Sequence, residues 1–336
     1  MPVVQSLSLR VSHEDLDLCL EQLGAESHRY KTTRAIIDRS LQLLEREDMR
    51  EWLALTAQEI IISLRENELE CLWPVEQNGG DPSLPEISSF IDFFLKELRR
   101  NFVEIRLTRN MRGEAACFRA QWAEEQVSPT VYSWTSRCLG YMMLSSDIIN
   151  CMVATKNHTT HRSFMFQMMV SVTHEIGHMI TSALTGGNHQ STPEKMKSGN
   201  CKGEVGFFLE MRAFGGIAEF YADPSRPDDT QQPGIPYMIK GTAKNCLGVE
   251  LSEEIIREFV DDVSNVSLPL IPEDISSLPG VTTREEITRN TAGPVMELRS
   301  SSEEVPRTRD RYIAELREES PSPSPRRAEA ESSKQH

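Results

Sequence analysis

Residues 173–178 read THEIGH, and after a polar stretch residues 203–216 read GEVGFFLEMRAFGG. The first segment lies inside SFMFQMMVSVTHEIGHMITSAL (163–184), which is apolar nearly all round and so predicts a buried helix. In a helix, residues four apart share one face, one turn above the other. His174 and His178 can therefore reach one cation, with Glu175 projecting beside that face. Neutral imidazole nitrogens suit Zn2+, and a carboxylate next to the ion can take a proton from an attacking water and pass it to a leaving amine. Two imidazoles and a carboxylate in so apolar a helix need partners, because burying unpaired polar groups is costly.

The third ligand sets the class. A further histidine in the spacing HExxHxxGxxH is excluded, because position 181 is threonine and position 184 is leucine. A downstream glutamate remains, and three compete. On a helix predicted from Gly203 to about Phe214, the residues Phe207, Phe208, Met211 and Phe214 form an apolar stripe with Glu204 near its centre. A carboxylate aimed into a core calls for a cation, and a metal ion would supply it. Glu210 falls on the flank of that stripe, roughly 100° away, where it could fix a histidine from behind. Glu219 opens EFYAD (219–223), similar to an ExxAD ligand motif, but Gly215-Gly216 before it and Pro224 after it leave little room for a helix. Glu204 is the preferred ligand. Cys151 or Cys201 would be a soft replacement.

Other residues carry two readings. Gly177 and Gly206 are either ordinary helix contacts or the small residues that let two helices approach closely enough to share an ion. Tyr221 and Tyr237 are phenols that either stabilise an oxyanion or sit at the edge of the core. HTTH (158–161) reads as a solvated pair in a polar loop before the helix.

Upstream, SHEDLDLCLEQL (12–23), TTRAIIDRSLQLLERED (32–48), EWLALTAQEIIISLREN (51–67) and ISSFIDFFLKELRRNF (87–102) read as helices. VEIRLTR (103–109) and AACFRAQW (115–122) alternate as half-buried strands, with Val103, Ile105 and Leu107, and Ala116, Phe118, Ala120 and Trp122, as their apolar faces. CLGYMML (138–144) is a third strand. It directly precedes the helix pair and either offers the sheet edge for an added peptide strand or packs as an ordinary strand of the sheet. Residues 217–239 predict strand and loop, and SEEIIREFVDDV (252–263) a short helix. Beyond about Ser264 the chain is rich in Ser, Pro, Glu and Arg, which predicts disorder. Ser320, Ser322 and Ser324 each precede proline there, as proline-directed phosphorylation requires. The expected division is a helical region (1–100), a domain carrying the histidines (101–263) and a tail (264–336).

A net charge of −15 argues against nucleic acid and against anionic membrane as partners. No run of 18 apolar residues exists to span a bilayer, and residues 1–19 lack the apolar core of a secretory signal. Seven cysteines without CxxC spacing suit a reducing compartment, so a cytoplasmic location is expected.

HEIGH (174–178), Gly203-Glu204-Val205-Gly206, Glu210 and Phe214-Gly215-Gly216 together resemble a fungal group of gluzincin-like zinc metallopeptidase homologues, over about residues 95–245. The resemblance implies an α+β, zincin-like fold, with a small mixed sheet beside a buried HExxH helix. It implies Zn2+ held by His174, His178 and Glu204, with Glu175 as general base. A metal-activated water beside a general base reads as peptide-bond hydrolysis, so a peptide or protein substrate is expected. The alternatives are a zincin fold kept for regulation or scaffolding without turnover, and a hydrolase of a non-protein amide in a biosynthetic pathway.

Overall fold

The computed structural model describes residues 7–14, 20–74, 82–109, 111, 113–119, 131–132, 134–187, 204–226, 231–242, 245–276 and 278–295. In chain order the elements are β1 (Val11–Glu14), β2 (Leu20–Gln22), α1 (His28–Leu44), α2 (Glu47–Glu66), α3 (Leu84–Arg100), β3 (Glu104–Thr108) and β4 (Ala115–Phe118). They continue with β5 (Tyr141–Ser145), α4 (Ser146–Ala154), α5 (His158–Thr185), α6 (Val205–Ala213) and β6 (Ile217–Tyr221). The last are β7 (Ile235–Thr242), β8 (Asn245–Glu250), α7 (Glu253–Asp261), β9 (Thr282–Thr283) and α8 (Arg284–Asn290). The fold is mixed α and β, with two small sheets.

α5 organises the chain. Its start is capped by Asn157, whose side-chain oxygen accepts from the N–H groups of Thr159 and Thr160, and its end by Gly186 at φ 63°, a left-handed conformation open to glycine. From Phe164 onward it is buried on nearly every side. The reason lies in its neighbours: α1, α2, α6, α7 and β4 all pack on it. The Asn157 cap also corrects the reading of HTTH (158–161), which forms the first turn of α5 and not a loop before it.

The first sheet runs β2-β1-β3-β5-β4, with β1, β3 and β5 parallel and β2 and β4 antiparallel at the edges. Ile105, Leu107, Met142 and Leu144 alternate into the core, as period-two patterning requires. CLGYMML supplies β5, which lies inside the sheet; the edge beside α5 is β4. The expected inner face of β4 is also reversed. Phe118 is exposed and stacks on Tyr141 at 4.8 Å, with the Arg106 guanidinium on that same ring at 3.6 Å, whereas Cys117 pairs with buried Met142. A shift of one residue in phase turns every side chain to the other face, and here aromatic stacking satisfies the outward phenylalanine. Ala120 and Trp122 lie outside the described residues.

SHEDLDLCLEQL was expected to be helical. Its described residues instead form β1 and β2, because Val11 and Ser12 register against Ile105 and Arg106 of β3 and Val11 is fully buried. Tertiary pairing overrides a locally plausible cap. The same pairing joins Val11–His13, expected in a separate amino-terminal region, to the sheet.

The second sheet, β6-β7-β8-β9, is antiparallel throughout. It follows α6 through Gly215, at φ 83°, where an added Cβ would meet the Ile271 carbonyl at 2.5 Å. The expected start of the tail at Ser264 is too early. β9 and α8 lie beyond it, and Val266, Ile271, Ile275, Ile287 and Val295 are buried. Sparse apolar residues among prolines escape composition-based reading because each is placed singly. Burial of one such side chain contributes about 1.5–3 kcal/mol, so five approach the roughly 5–15 kcal/mol stability of a whole domain. Truncation after Ser264 should therefore abolish the cooperative thermal transition; a truncated chain melting within about 3 °C of the full one would contradict this packing. Residues 296–336, including the three Ser-Pro steps, lie outside the described residues.

Candidate metal centre

His174 and His178 stand one turn apart on α5, with ring centroids 5.3 Å apart. One ring nitrogen of each and a carboxylate oxygen of Glu204 all lie within 4.8 Å of one another. Glu204 Oε1 contacts His178 Nε2 closely and stands 3.6 Å from His174 Nε2. The three side chains keep 12–29% exposure, so the site opens to solvent.

Glu204 arrives there by a different route from the stripe. The helix begins one residue later, and Glu204 is its N-cap, in extended conformation at φ −118°, ψ 104°, with its carboxylate accepting from the Gly206 N–H at 3.3 Å. The buried face of α6 is Val205, Gly206, Leu209, Glu210 and Ala213, while Phe207, Phe208 and Met211 are only half-buried. Phe207 sets its ring edge against His174 at 4.9 Å. The same oxygen that accepts from the Gly206 N–H also meets His178 of α5, so the cap sits where the head of α6 abuts α5.

Glu210 is 3% exposed, in the middle of the buried face and not on its flank. Its Oε1 bonds His174 Nδ1 at 2.6 Å, and its Oε2 accepts from the Ala218 N–H at 2.9 Å. With Nδ1 held by a carboxylate, Nε2 is the nitrogen that faces Glu204, and a cation bound there would take the place of its proton. Burial resists a charge on His174, but the bonds to Glu204 and Glu210 overcome it and push its pKa up to about 10. Burial alone would raise the Glu204 carboxyl, yet His174 and His178 hold it well below the usual carboxylate range. The negative charge that retains a proton on His174 is the charge that would retain a metal cation there.

Glycine makes the approach of α5 and α6 possible. A Cβ on Gly206 would stand 2.3 Å from three atoms of the His174 ring, and one on Gly177 would meet Val205 Cγ1 at 3.3 Å and the Gly206 Cα at 3.6 Å. Of the two readings left open for these residues, close approach is the one the contacts favour.

Glu175 turns toward the sheet edge. Its Oε2 accepts from the Cys117 N–H of β4 at 2.7 Å. Burial, and then the charge of Glu175, push the Cys117 thiol far up, so that it stays protonated. No side-chain pattern in AACFR signals this contact, because a backbone N–H makes it.

The remaining candidates lie elsewhere. Glu219 is on β6, a strand, and its carboxylate takes the Tyr221 hydroxyl at 2.5 Å and the Arg284 guanidinium at 2.7 Å. EFYAD is therefore not an ExxAD helix. Tyr237 donates to Glu250 at 3.2 Å and packs edge-on against Tyr221, and burial with acidic neighbours raises both phenols to about 12. Their hydroxyls are thus committed to carboxylates of the second sheet. Cys151 is half-buried on α4, outside the cluster, and Cys201 lies outside the described residues.

Two imidazole nitrogens and one carboxylate oxygen form a donor set suited to a borderline cation. Tetrahedral zinc with bonds near 2.0–2.2 Å needs ligand atoms roughly 3.3 Å apart, and the 3.6 Å from Glu204 Oε1 to His174 Nε2 is close to that spacing. Among the described residues no helix is long and apolar enough to cross a membrane. No protein-family model matches the chain, and no curated protein and no solved structure matches it significantly.

Proposed function

We propose that the chain is a zinc-dependent peptidase of gluzincin type, with a zincin-like arrangement of helix and sheet edge. One observation carries the reading: Glu175 lies between two histidines that converge with Glu204, and it faces the open edge strand β4. Three protein ligands leave a coordination position open, which suits catalysis more than structural closure. When bound, zinc would supply a Lewis acid that polarises the scissile carbonyl and acidifies the attacking water.

The chain's own residues do the rest. Glu210 fixes the orientation of His174 through Nδ1. The Cys117 N–H holds one oxygen of Glu175, which aims the carboxylate along the sheet edge. Glu175 takes the proton of the attacking water and returns it to the amine as the C–N bond breaks, so one water is consumed per bond cleaved. An extended peptide can run along β4, whose outer edge has no further strand paired to it among the described residues.

Glu175→Gln tests the assignment. Glutamine keeps shape and the bond from Cys117 but cannot accept the proton. The variant is expected to bind zinc as the wild type does and to hydrolyse a mixed peptide library at least about 100-fold more slowly. Wild-type turnover in the variant removes Glu175 from the reaction. Zinc binding with no cleavage by either protein favours a binding role.

A further inference from the structure

Arg119 follows β4 directly, two positions beyond Cys117. Side chains two apart on an extended chain share a face, so Arg119 is on the face of Cys117, along the edge where β4 meets Glu175. Arg119 is half-buried. Burial disfavours its charge, while the carboxylates of Glu204 and Glu175 favour it, which sets the guanidinium within the field of both site carboxylates.

We propose that Arg119 determines specificity by receiving a carboxylate of the substrate, either an acidic side chain or a free C-terminus, beside the bond to be cleaved. The proposal rests on the peptidase reading. A peptide laid along β4 advances about 3.3 Å per residue, so a group within two residues of the one opposite Cys117 comes level with Arg119. A guanidinium presents five N–H donors in a planar fork that matches a carboxylate, and it can serve a protein acid and a ligand together. A dication held by Glu204 would add to the positive field that Arg119 presents to an incoming anion. The chain as a whole carries −15. An acidic ligand is therefore repelled at long range, and its selection needs a local cation of this kind.

The test uses zinc-loaded full-length protein and two pairs of short peptide hydroxamates, whose hydroxamate binds metal. One pair differs by a free C-terminal carboxylate against its amide, the other by a glutamate side chain against glutamine. Wild type is expected to bind the carboxylate member of one pair about tenfold or more tightly than its neutral partner, and which pair responds identifies the source. Arg119→Met should reduce that preference to within about twofold and leave affinity for the neutral member unchanged; Arg119→Lys should keep part of it. Zinc content and melting temperature of each variant, read on the same samples, show that site and fold persist. No preference in wild type, a preference that survives in Arg119→Met, or equal weakening of both members of the pair would each overturn the proposal. Preference with no peptide cleaved anywhere would sink the peptidase reading and leave Arg119 as a selector of anionic ligands. Cleavage without preference would do the reverse.

Discussion

Glu204→Ala protein should emerge from gel filtration at neutral pH without zinc, while Glu219→Ala protein should retain one equivalent per chain. Glu204 shares the 4.8 Å cluster with ring nitrogens of His174 and His178 and is the charged member of the set. Glu219 is bound up with Tyr221 and Arg284 on another sheet. If the roughly 10–16 kcal/mol of a four-ligand zinc site is shared evenly, one ligand is worth about 2.5–4 kcal/mol, on the order of a hundredfold to a thousandfold in affinity. His174→Ala and His178→Ala should behave as Glu204→Ala does. Zinc lost only in Glu219→Ala would mean that the second sheet, and not the head of α6, supplies the ligand.

Gly206→Ala should lower both zinc affinity and stability, against the ordinary trend for its setting. In a helix, glycine to alanine is normally worth about 0.5–1 kcal/mol of added stability. Here the new methyl would stand 2.3 Å from His174 Cγ, Cδ2 and Nε2. The ring is held behind by Glu210 and flanked by Phe207. Something must shift, and overpacking of this kind costs about 1–3 kcal/mol. A displacement of His174 moves Nε2 away from Glu204, so retained zinc should fall at least about tenfold. Gly177→Ala, whose methyl would meet its nearest atoms at 3.3–3.7 Å, should lose far less. Thermal melts and zinc titrations of the pair decide it: a Gly206→Ala chain that is both more stable and fully zinc-binding would show that the helices have room to spare.

Part of this architecture was legible in the residues. The four-residue spacing of His174 and His178 inside an apolar run needs only helix geometry, and the burial of α5 follows from the same run. Glu204 was reached for a reason that does not hold, since it caps α6 and does not ride on an apolar stripe. The pull of the histidines on a nearby carboxylate, not helix phase, accounts for its place. Glu210 was read as a flank residue able to hold a histidine from behind; its burial is deeper than helix phase suggested, because Ala218 and His174 satisfy both its oxygens. The contribution of Cys117 is a backbone N–H, which no residue type advertises. Strands β1 and β2 and the packed segment after Ser264 owe their form to partners far along the chain, Ile105 in one case and Phe214 in the other, whose carbonyl accepts from the Leu270 N–H at 3.0 Å. Such pairings are set by tertiary contact and leave little local trace.

X-ray absorption at the zinc edge, on protein loaded with one equivalent, tests the central claim most directly. The account predicts a first shell of two imidazole nitrogens and light oxygen donors at about 2.0–2.2 Å, with no sulfur, and, in His178→Ala, which no longer holds the ion, replacement of that shell by the spectrum of hydrated zinc. A sulfur scatterer near 2.3 Å, or a shell unchanged by that substitution, would contradict it and place the metal elsewhere in the chain.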